Sequence, residues 1–290
     1  MKKNALIIGI DYGRISHLTL PGCINDALNV SKMLIDAYNF REEDITLMRD
    51  DIKERETYPT KRNILSKLRN YAEKLTSHDF FWFHISSHGY HDESRASNEK
   101  DSRDERLMVY KELNDNYMQS RNIVSLYDDE LNQVLQEFKC PVCLFIDTCN
   151  SGTMGDLPYN FKITETRNFD NEITLQRMRE NNIKFNNEKI IMLSSATDLQ
   201  DAADLYDVKF NQSMGAMTAS MLKLLRKYNH EISIIKLFSL ISKDLKSQDF
   251  EQTPHLSSSG MFPKYIFSRS ENKNELNIVE KESHVILSNH

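Results

Sequence analysis

Two short apolar runs decide the fold of this 290-residue chain: Phe80-Phe81-Trp82-Phe83-His84-Ile85, which leads into Ser86-Ser87-His88-Gly89, and Val142-Cys143-Leu144-Phe145-Ile146, which leads into Asp147-Thr148-Cys149-Asn150-Ser151-Gly152. Runs this short, bounded by serine and glycine, are typical of buried parallel strands. In open α/β sheets, chemistry gathers at the carboxyl ends of the strands. The sequence therefore predicts that an imidazole and a thiol, the parts of a cysteine nucleophile and its base, meet at one edge of a sheet.

Strands alternate with helices along the rest of the chain. Apolar runs predict strands at Ala5–Ile10, Ile45–Met48, Leu107–Tyr110, Lys189–Leu193 and Lys264–Phe267, with a polar loop over His91–Asp104. Apolar residues at helical spacing predict helices at Asp26–Tyr38, Asp129–Phe138, Ala216–Tyr228 and Ser233–Leu245. A further helix is predicted after Thr60, which would be its N-cap. This order predicts an α/β fold with a mostly parallel central sheet flanked by helices on both faces.

The composition divides the chain into four parts. Residues 1–159 form a large front portion, and residues 189–270 form a small back portion of the same domain. Between them, residues 160–188 are rich in Asn, Glu, Arg and Lys, which predicts an exposed polar linker without strands. The polar tail, residues 271–290, is predicted to be mobile.

The bulk properties exclude several classes of protein. The formal net charge of -6 argues against general binding of nucleic acid. No apolar stretch approaches the roughly 20 residues that a membrane helix needs, and Met1–Asn4 runs into a strand without a signal-peptide core. Four cysteines in a chain of this size do not form a disulfide framework. We therefore expect a cytoplasmic protein in a reducing compartment.

His88 and Cys149 are the candidate catalytic pair. His88 would take the proton that Cys149 must lose to become a nucleophile. The backbone N–H groups of Gly89 and Cys149 are candidate oxyanion donors at the turns after the strands. Because side chains at i and i+2 share a face of a strand, Ser86 is expected beside His88, and Asp147 beside Cys149. Asp147 would orient the site, bind a basic substrate side chain, or only cap the next turn. The alternative for Cys149 is that it is a buried cysteine without a chemical role.

Three further patterns leave a choice between chemistry and structure. The spacing of His84, His88 and His91 matches no strong zinc signature. Cys140-Pro141-Val142-Cys143 has redox-motif spacing, but its position inside an apolar run favours core packing. Asp128-Asp129 opens a helix, so these carboxylates either complement the helix dipole or, with Asp104 and Asp156, bind calcium.

The chain resembles metacaspases, the caspase-like cysteine peptidases of plants, fungi, protists and bacteria. The resemblance covers about residues 4 to 268, and its segments occur in the family's order: Ala5–Ile10, Leu20–Ala27, Pro59–Ile64, Ser86–Gly89, Asp128–Glu130, Asp147–Gly152, Asp156–Tyr159, Ser194–Gln200, Gly215–Met217 and Gln252–Ser257. Each motif is weak by itself, but so many in one order are specific.

The resemblance implies a caspase–haemoglobinase fold with a large-subunit-like and a small-subunit-like portion, and a dyad of His88 and Cys149. It also implies cleavage after Arg or Lys, with the basic side chain held by acids matching Asp26 and Asp147 and by a serine matching Ser86. The physical chemistry agrees, since a guanidinium favours paired carboxylates in a partly dry pocket. Calcium as activator is implied as well, bound by acids matching Asp104, Asp128, Asp129 and Asp156.

The chain departs from the family pattern at several positions. Asn150 stands where the family has His, Ser87 replaces a glycine and is expected to crowd the substrate backbone, and Tyr90-His91 replaces a small or polar pair. The linker contains basic residues at which the protein could cleave itself: Arg167, Arg177, Arg179 and Lys184. The alternative is that the linker is a polar surface segment that is not cleaved.

These observations predict a calcium-stimulated cysteine endopeptidase that cleaves after Arg or Lys. Its partners would be protein or peptide substrates, with no nucleic acid and no membrane, and the chain is expected to be a monomer. The alternative, motivated by Ser87 and Asn150, is a catalytically weak or inactive caspase-like scaffold that acts by binding partners.

Overall fold

A computed structural model describes residues 1–13, 15–93, 103–113, 120–149, 154–166, 173–179, 183–196, 204–207, 212–250, 253–261, 263, 265–269 and 285–288. The helices in these ranges are α1 (Cys23–Tyr38), α2 (Lys61–Lys74), α3 (Asp128–Leu135), α4 (Ala216–Lys227) and α5 (Ile234–Ser247). The strands are β1 (Lys3–Gly9), β2 (Ile45–Arg49), β3 (Phe80–Ser86), β4 (Gly89–Glu93), β5 (Arg103–Tyr110), β6 (Ile123–Tyr127), β7 (Val142–Asp147), β8 (Tyr159–Thr166), β9 (Ile173–Arg179), β10 (Ile190–Ala196), β11 (Asp204–Asp207), β12 (Gln212–Gly215), β13 (Ile232–Ser233), β14 (Thr253–Ser258), β15 (Ile266–Phe267) and β16 (Val285–Ser288).

The main sheet has the strand order β16-β9-β8-β14-β10-β7-β3-β1-β2. Strands β2, β1, β3, β7 and β10 are parallel to one another. Strands β14, β8 and β9 extend the sheet in antiparallel fashion beyond β10. The prediction of a mostly parallel sheet is confirmed, and the carboxyl ends of β1, β3 and β7 lie side by side at one edge.

Helices cover both faces of the sheet, as the sequence predicts. The alternating side chains of each central strand enter two separate cores, because neighbouring residues of a strand point to opposite faces. Ala5 and Ile7 pack in the core that contains α1, α4 and α5, whereas Leu6 and Ile8 pack in the core that contains α2 and α3. At the start of α2, the Thr60 hydroxyl accepts a hydrogen bond from the Asn63 N–H at 3.1 Å, as expected of an N-cap.

A small antiparallel sheet of β4, β5 and β6 adjoins the carboxyl ends of the central strands. Strand β4 begins at Gly89, so only Ser87 and His88 connect it to β3. The predicted polar loop over residues 91–104 is therefore wrong at both ends, which belong to β4 and β5. Charged residues are compatible with these strands because an antiparallel ribbon keeps one face in water.

The region predicted as a polar linker, residues 160–188, contains two strands of the main sheet. Strands β8 and β9 pair with each other, and β8 pairs with β14. The prediction of a linker without strands is wrong because it relied on polar composition, although Phe161 is buried in the core. The tail prediction also changes, since Val285–Ser288 forms β16 and pairs in parallel with β9. No helix in the described ranges is both long enough and apolar enough to cross a membrane.

Candidate active site

The ends of β3 and β7 bring the candidate dyad together. Ser86 and Asp147 are register partners in the last positions of the two strands. Beyond them, a Cβ atom built on Gly89 would lie only 2.1 Å from the carbonyl oxygen of Cys149. The backbone that follows His88 is therefore in direct contact with the backbone of Cys149, although 61 positions separate the two residues in the sequence.

Gly89 is required by this contact. Its absent side chain makes room for the carbonyl of Cys149 and for Thr148, whose Oγ1 would lie 2.8 Å from a Cβ at Gly89. The structure assigns this space to the packing of two strand ends, which a larger residue would force apart.

The imidazole of His88 is oriented by a backbone carbonyl. Its Nε2 lies 2.9 Å from the carbonyl oxygen of Leu18, in the loop after β1. Because a carbonyl oxygen only accepts, Nε2 carries a hydrogen in both the neutral and the charged imidazole. Nδ1 is therefore the nitrogen of this ring at which a proton can be gained or lost.

A serine on β10 holds the turn that carries Cys149. The Ser195 hydroxyl accepts from the Thr148 N–H at 3.0 Å and donates to the Thr148 carbonyl at 2.8 Å. The cysteine itself is 6% exposed. Strands β3 and β7 end at Ser86 and Asp147, before the two candidate catalytic residues. The expectation that Ser86 lies beside His88 and Asp147 beside Cys149 therefore stays a prediction.

The predicted substrate-binding residues form one buried cluster. The Ser86 hydroxyl donates to Oδ2 of Asp26 at 2.9 Å, so its oxygen accepts from Nε2 of His84 at 3.2 Å. Burial lowers the pKa of His84 to about 3, so its imidazole is neutral. Asp26 is fully buried at the start of α1, next to the carboxyl end of β3.

Asp147 and Asp26 converge at the start of helix α4. Oδ2 of Asp147 accepts from the Thr218 N–H at 2.8 Å and from the Thr218 hydroxyl at 2.7 Å. The Gly215 N–H donates to Oδ2 of Asp26 at 3.0 Å. A Cβ on Gly215 would lie 2.4 Å from Oδ2 of Asp147 and 2.8 Å from Oδ2 of Asp26, so both carboxylates reach the same point.

This acid pair lies in a place with little water. Burial raises the pKa of Asp147, and the hydrogen bonds from the Thr218 hydroxyl and N–H oppose that rise. The start of α4 contributes backbone N–H groups and the positive end of the helix dipole, which favour the ionised carboxylates. Two buried carboxylates of this kind are suited to a guanidinium or an ammonium group.

Three of the predicted calcium ligands also converge. Carboxylate oxygens of Asp128, Asp129 and Asp156 lie within 4.8 Å of one another. Asp128 is fixed at the start of α3 by the N–H groups of Glu105 at 3.0 Å and Asp129 at 2.8 Å. The side chain of the fourth predicted ligand, Asp104, lies outside the described residues. The donor set consists of oxygen atoms alone, which fits a hard cation such as calcium.

The other sequence predictions have mixed outcomes. Cys140 and Cys143 are buried in the core, and no disulfide links any of the four cysteines, all of which are described. Ser87 is fully buried and donates to the His88 carbonyl at 3.2 Å, so the prediction that it crowds the substrate is wrong. Asn150, Ser151, Gly152 and the side chain of His91 lie outside the described residues.

Sequence reasoning missed several residues of this site. The Leu18 carbonyl had no signal, since any residue supplies a backbone oxygen. Thr218 had a weak signal, because it directly follows the Gly215–Met217 segment of the resemblance. Tyr12, described below, follows an apolar strand without any motif.

The central parallel sheet and the paired strand ends define a caspase-like α/β protein. In agreement, a solved structure from Geobacter sulfurreducens matches with a TM-score of 0.58 and 18% identity, covering 93% of this chain and 98% of that one. The structure of caspase-1 from Spodoptera frugiperda matches with a TM-score of 0.51 and 15% identity, covering 94% of this chain and 92% of that one. At these identities, the matches show the fold.

The family is shown by sequence. The family model described as metacaspase, peptidase C14 domain, matches residues 3–158. Metacaspase-1 of Cryptococcus neoformans is 27% identical over 300 aligned residues, and Metacaspase-1 of Schizosaccharomyces pombe is 26% identical over 301. Each alignment covers 89% of this chain, which spans 62% and 67% of the length of these relatives. The chain belongs to the metacaspase family.

Proposed function

We propose that this chain is a cysteine endopeptidase that cleaves peptide bonds after Arg or Lys, with Cys149 as nucleophile and His88 as base. The observation that carries the proposal is the contact between the residues after β3 and β7, where Gly89 touches the backbone of Cys149. Membership of a peptidase family supports the same chemistry. The buried acid pair beside these strand ends supports the choice of a basic substrate side chain.

The reaction follows from the orientation of His88. Nδ1 accepts the thiol proton of Cys149, and the sulfur bonds to the scissile carbonyl carbon. The electron pair of the carbonyl moves to its oxygen, for which the N–H groups of Gly89 and Cys149 are the proposed donors. The C–N bond then breaks as Nδ1–H protonates the leaving amine. Water attacks the thioester, and the free acid and the thiol are restored.

Specificity for Arg or Lys is proposed to come from Asp26 and Asp147. A basic side chain would displace part of the existing contacts of these carboxylates and form charge-assisted hydrogen bonds with them. Ser86 contributes by fixing Asp26, since its single hydroxyl hydrogen is directed at that carboxylate. A neutral residue at the cleavage position would leave the acid pair without a cation, which is costly where water is excluded.

Calcium is proposed as an activator at Asp128, Asp129 and Asp156. When bound, the cation supplies the positive charge that three neighbouring carboxylates lack. The Asn132 side chain ties this cluster to the residues before Leu157 by donating to the Gly155 carbonyl at 2.7 Å. The start of α3 and the segment that follows the Cys149 turn therefore meet at this cluster, which supports a link between calcium and activity.

Self-processing is proposed at Lys184, which is exposed in a segment without helix or strand. Arg177 and Arg179 belong to β9, whose backbone pairs with β8 and would have to leave the sheet before cleavage. Arg167 lies outside the described residues. We further propose that the protein acts as a monomer on protein or peptide substrates in the cytoplasm, where a reducing environment preserves the thiol.

The test uses a fluorogenic peptide that ends in Arg and a thiol-reactive probe that carries Arg. The wild type should cleave the peptide, and Cys149→Ala and His88→Ala should lose at least about 10³-fold in kcat/KM. The probe should label Cys149 and be displaced by the peptide, because His88 is the proposed base of Cys149, whereas burial raises the pKa of the Cys140 and Cys143 thiols. Full activity of Cys149→Ala would show that Cys149 is not the nucleophile, whereas no cleavage and no selective labelling would support the scaffold alternative.

A further inference from the structure

Tyr12 contacts the candidate catalytic histidine through both its ring and its hydroxyl. The two ring centroids are 5.0 Å apart. The Tyr12 hydroxyl accepts from the His88 backbone N–H at 3.1 Å and donates to the Met108 carbonyl at 2.5 Å. The side chain is fully buried. A single residue therefore supports one side of the imidazole and connects its backbone to strand β5.

The backbone of Tyr12 is held in an unfavourable conformation. Its φ of 50° lies in the left-handed region, which a residue with a large side chain rarely adopts. The buried carboxylate of Asp50 compensates, because it accepts from the N–H groups of Asp11 at 3.0 Å and Tyr12 at 2.8 Å. The Tyr110 hydroxyl donates to the same carboxylate at 3.0 Å. Strain maintained by several surrounding contacts is common at functional sites.

The same loop also supplies the carbonyl that orients the imidazole. The Ile15 N–H donates to the Tyr12 carbonyl, and the Leu18 N–H donates to the Ile15 carbonyl, both at 2.8 Å. Asp50 fixes the start of this loop, and Leu18 at its end accepts from Nε2 of His88. Both the backbone of His88 and its ring are therefore held by the loop after β1, whose start is fixed by Asp50.

We propose that Tyr12 and Asp50 are positioning residues that hold His88 in the orientation needed to take the proton of Cys149. The inference rests on the proposed function for the roles of His88 and Cys149. Neither residue touches the substrate in this proposal. Tyr12 acts through its hydroxyl and ring, and Asp50 acts through the conformation of the loop.

The test is Tyr12→Phe, which removes one oxygen and keeps the ring. We expect kcat for the Arg peptide to fall roughly tenfold with little change in KM, since misplaced catalytic groups slow the chemical step more than binding. The pH profile of Cys149 alkylation by iodoacetamide should also shift, because the thiol depends on the position of the imidazole. The matched control is Tyr38→Phe, a buried tyrosine on the other face of the sheet, which should change neither measurement.

Asp50→Asn provides a second test. An amide has one acceptor oxygen where the carboxylate accepts three hydrogen bonds, so kcat and the alkylation profile should change in the same direction as in Tyr12→Phe. The control is Asp51→Asn, because Asp51 follows Asp50 in the sequence but is exposed and forms an ion pair with Arg49. Unchanged kcat and alkylation profiles in correctly folded Tyr12→Phe and Asp50→Asn would overturn the proposal. If the wild type failed to cleave the peptide, the proposed function would fail, and the alkylation profiles alone would decide on positioning.

A separate observation concerns Tyr90, an exposed ring beside the same histidine. Tyr90 is 44% exposed, and its ring centroid lies 6.5 Å from that of His88. The guanidinium carbon of Arg106 lies 6.0 Å from the Tyr90 ring centroid, which supports the ring from strand β5. The mechanism assigns no role to this ring, and the chain departs here from the small or polar residue of the family pattern.

We infer that Tyr90 forms a subsite for an apolar or aromatic residue directly after the scissile bond. This inference also rests on the proposed function. The leaving amine takes its proton from His88, so the second half of the substrate departs past the imidazole. An exposed ring in contact with that imidazole offers apolar area to the first residue of this half.

The test compares peptides with Arg before the scissile bond and Phe, Leu, Gly or Asp after it. The wild type should prefer Phe and Leu several-fold in kcat/KM, and Tyr90→Ala should lose this preference while it still cleaves the Gly peptide. Met261→Ala is the control, because Met261 is also an exposed apolar residue but follows β14, at the opposite end of the central strands. A preference that survives Tyr90→Ala would overturn the inference, as would equal cleavage of all four peptides. No cleavage of any peptide would instead contradict the proposed function.

Discussion

The backbone N–H of Gly215 donates to the carboxylate of Asp26 at 3.0 Å, across 189 positions of sequence. This contact joins the back portion of the chain to the front portion within the candidate specificity pocket. It also places the start of α4 against both acids, so the pocket exists only when the two portions pack together.

Gly215→Ala should damage the pocket. Its φ of -63° suits any residue, so the cost of the substitution comes from the space that Asp147 and Asp26 already fill. We expect kcat/KM for the Arg peptide to fall at least about tenfold, and the free energy of unfolding to fall by about 1–3 kcal/mol. Gly13→Ala is the control, since nothing lies within 4 Å of a Cβ there. Unchanged kinetics in Gly215→Ala would contradict the packing described for this pocket.

As the pH falls, cleavage after Arg should begin to weaken at a pH above the usual pKa of an aspartate. Burial disfavours the charged form of Asp147 and raises its pKa, so this carboxylate takes up a proton earlier as the pH falls. A neutral carboxyl group loses its attraction for the guanidinium. Thr218→Val removes a hydroxyl that stabilises the charged form, so the acidic limb of kcat/KM should move to higher pH.

Ser220→Ala is the comparison for Thr218→Val. Its hydroxyl donates to Asp244 from the same helix and has no part in the pocket. The pH profile of this variant should match that of the wild type. An acidic limb that is the same in Thr218→Val and Ser220→Ala would show that Asp147 does not govern this pH dependence.

Asp129→Asn should abolish the response to calcium and leave the fold intact, because Asp129 is exposed. Calcium should raise the melting temperature of the wild type and not that of the variant. With a chelator present, the variant should be at least as stable as the wild type, since one of three mutually repelling charges is gone. Asp36→Asn, on the exposed face of α1, should retain the calcium response, and a response retained by Asp129→Asn would refute this site.

Asp11 should make the free energy of unfolding depend on pH between about 4 and 6. Burial raises the pKa of Asp11 to about 6 from 3.8, so the folded state holds this proton more tightly than the unfolded state. Its contribution to the free energy of unfolding is therefore fully present below pH 3.8 and is lost as the pH rises through about 6. Asp11→Asn keeps an acceptor for the Ile24 N–H and should flatten this part of the stability profile, as measured by urea denaturation at several pH values. A profile with the wild-type slope would contradict the assignment.

Self-processing should depend on Cys149 and on Lys184. Incubation of the wild type with calcium should yield two fragments, with a new amino terminus at Phe185 identified by mass spectrometry. Cys149→Ala and Lys184→Ala should both remain whole. A cut after Arg177 or Arg179 would instead require that β9 leaves the sheet.

The sequence identifies those parts of the fold that depend on local patterns. The apolar runs before His88 and Cys149 predict the central strands, because a strand buried on both faces has few polar residues. The composition of residues 160–188 does not predict these strands, because antiparallel strands tolerate polar residues on a solvent face. Strand β8 nevertheless lies inside the sheet, between β9 and β14. The resemblance implies that Asp26, Ser86 and Asp147 lie together. Parallel pairing predicts that Ser86 and Asp147 lie at the same edge of the sheet, because the carboxyl ends of parallel strands meet there.

The remaining features of the site depend on long-range packing. The Leu18 carbonyl acts through its backbone, so no residue type reveals it. Tyr12 is recognised only when its φ and its contact with His88 are known. The alternation of side chains applies within a strand, and β3 ends two residues before His88, so this rule alone does not determine the direction of the imidazole.

Strand β10 follows the proposed cut at Lys184, yet it lies inside the sheet, with Ile190–Ser194 paired to Val142–Ile146 of β7. A break in the chain at Lys184 would remove a covalent bond and leave this pairing in place. The nicked molecule should therefore elute from a sizing column as one particle of unchanged mass, and only a denaturant should separate its halves. Maturation would thus relax the connection between the two halves without dissociating them.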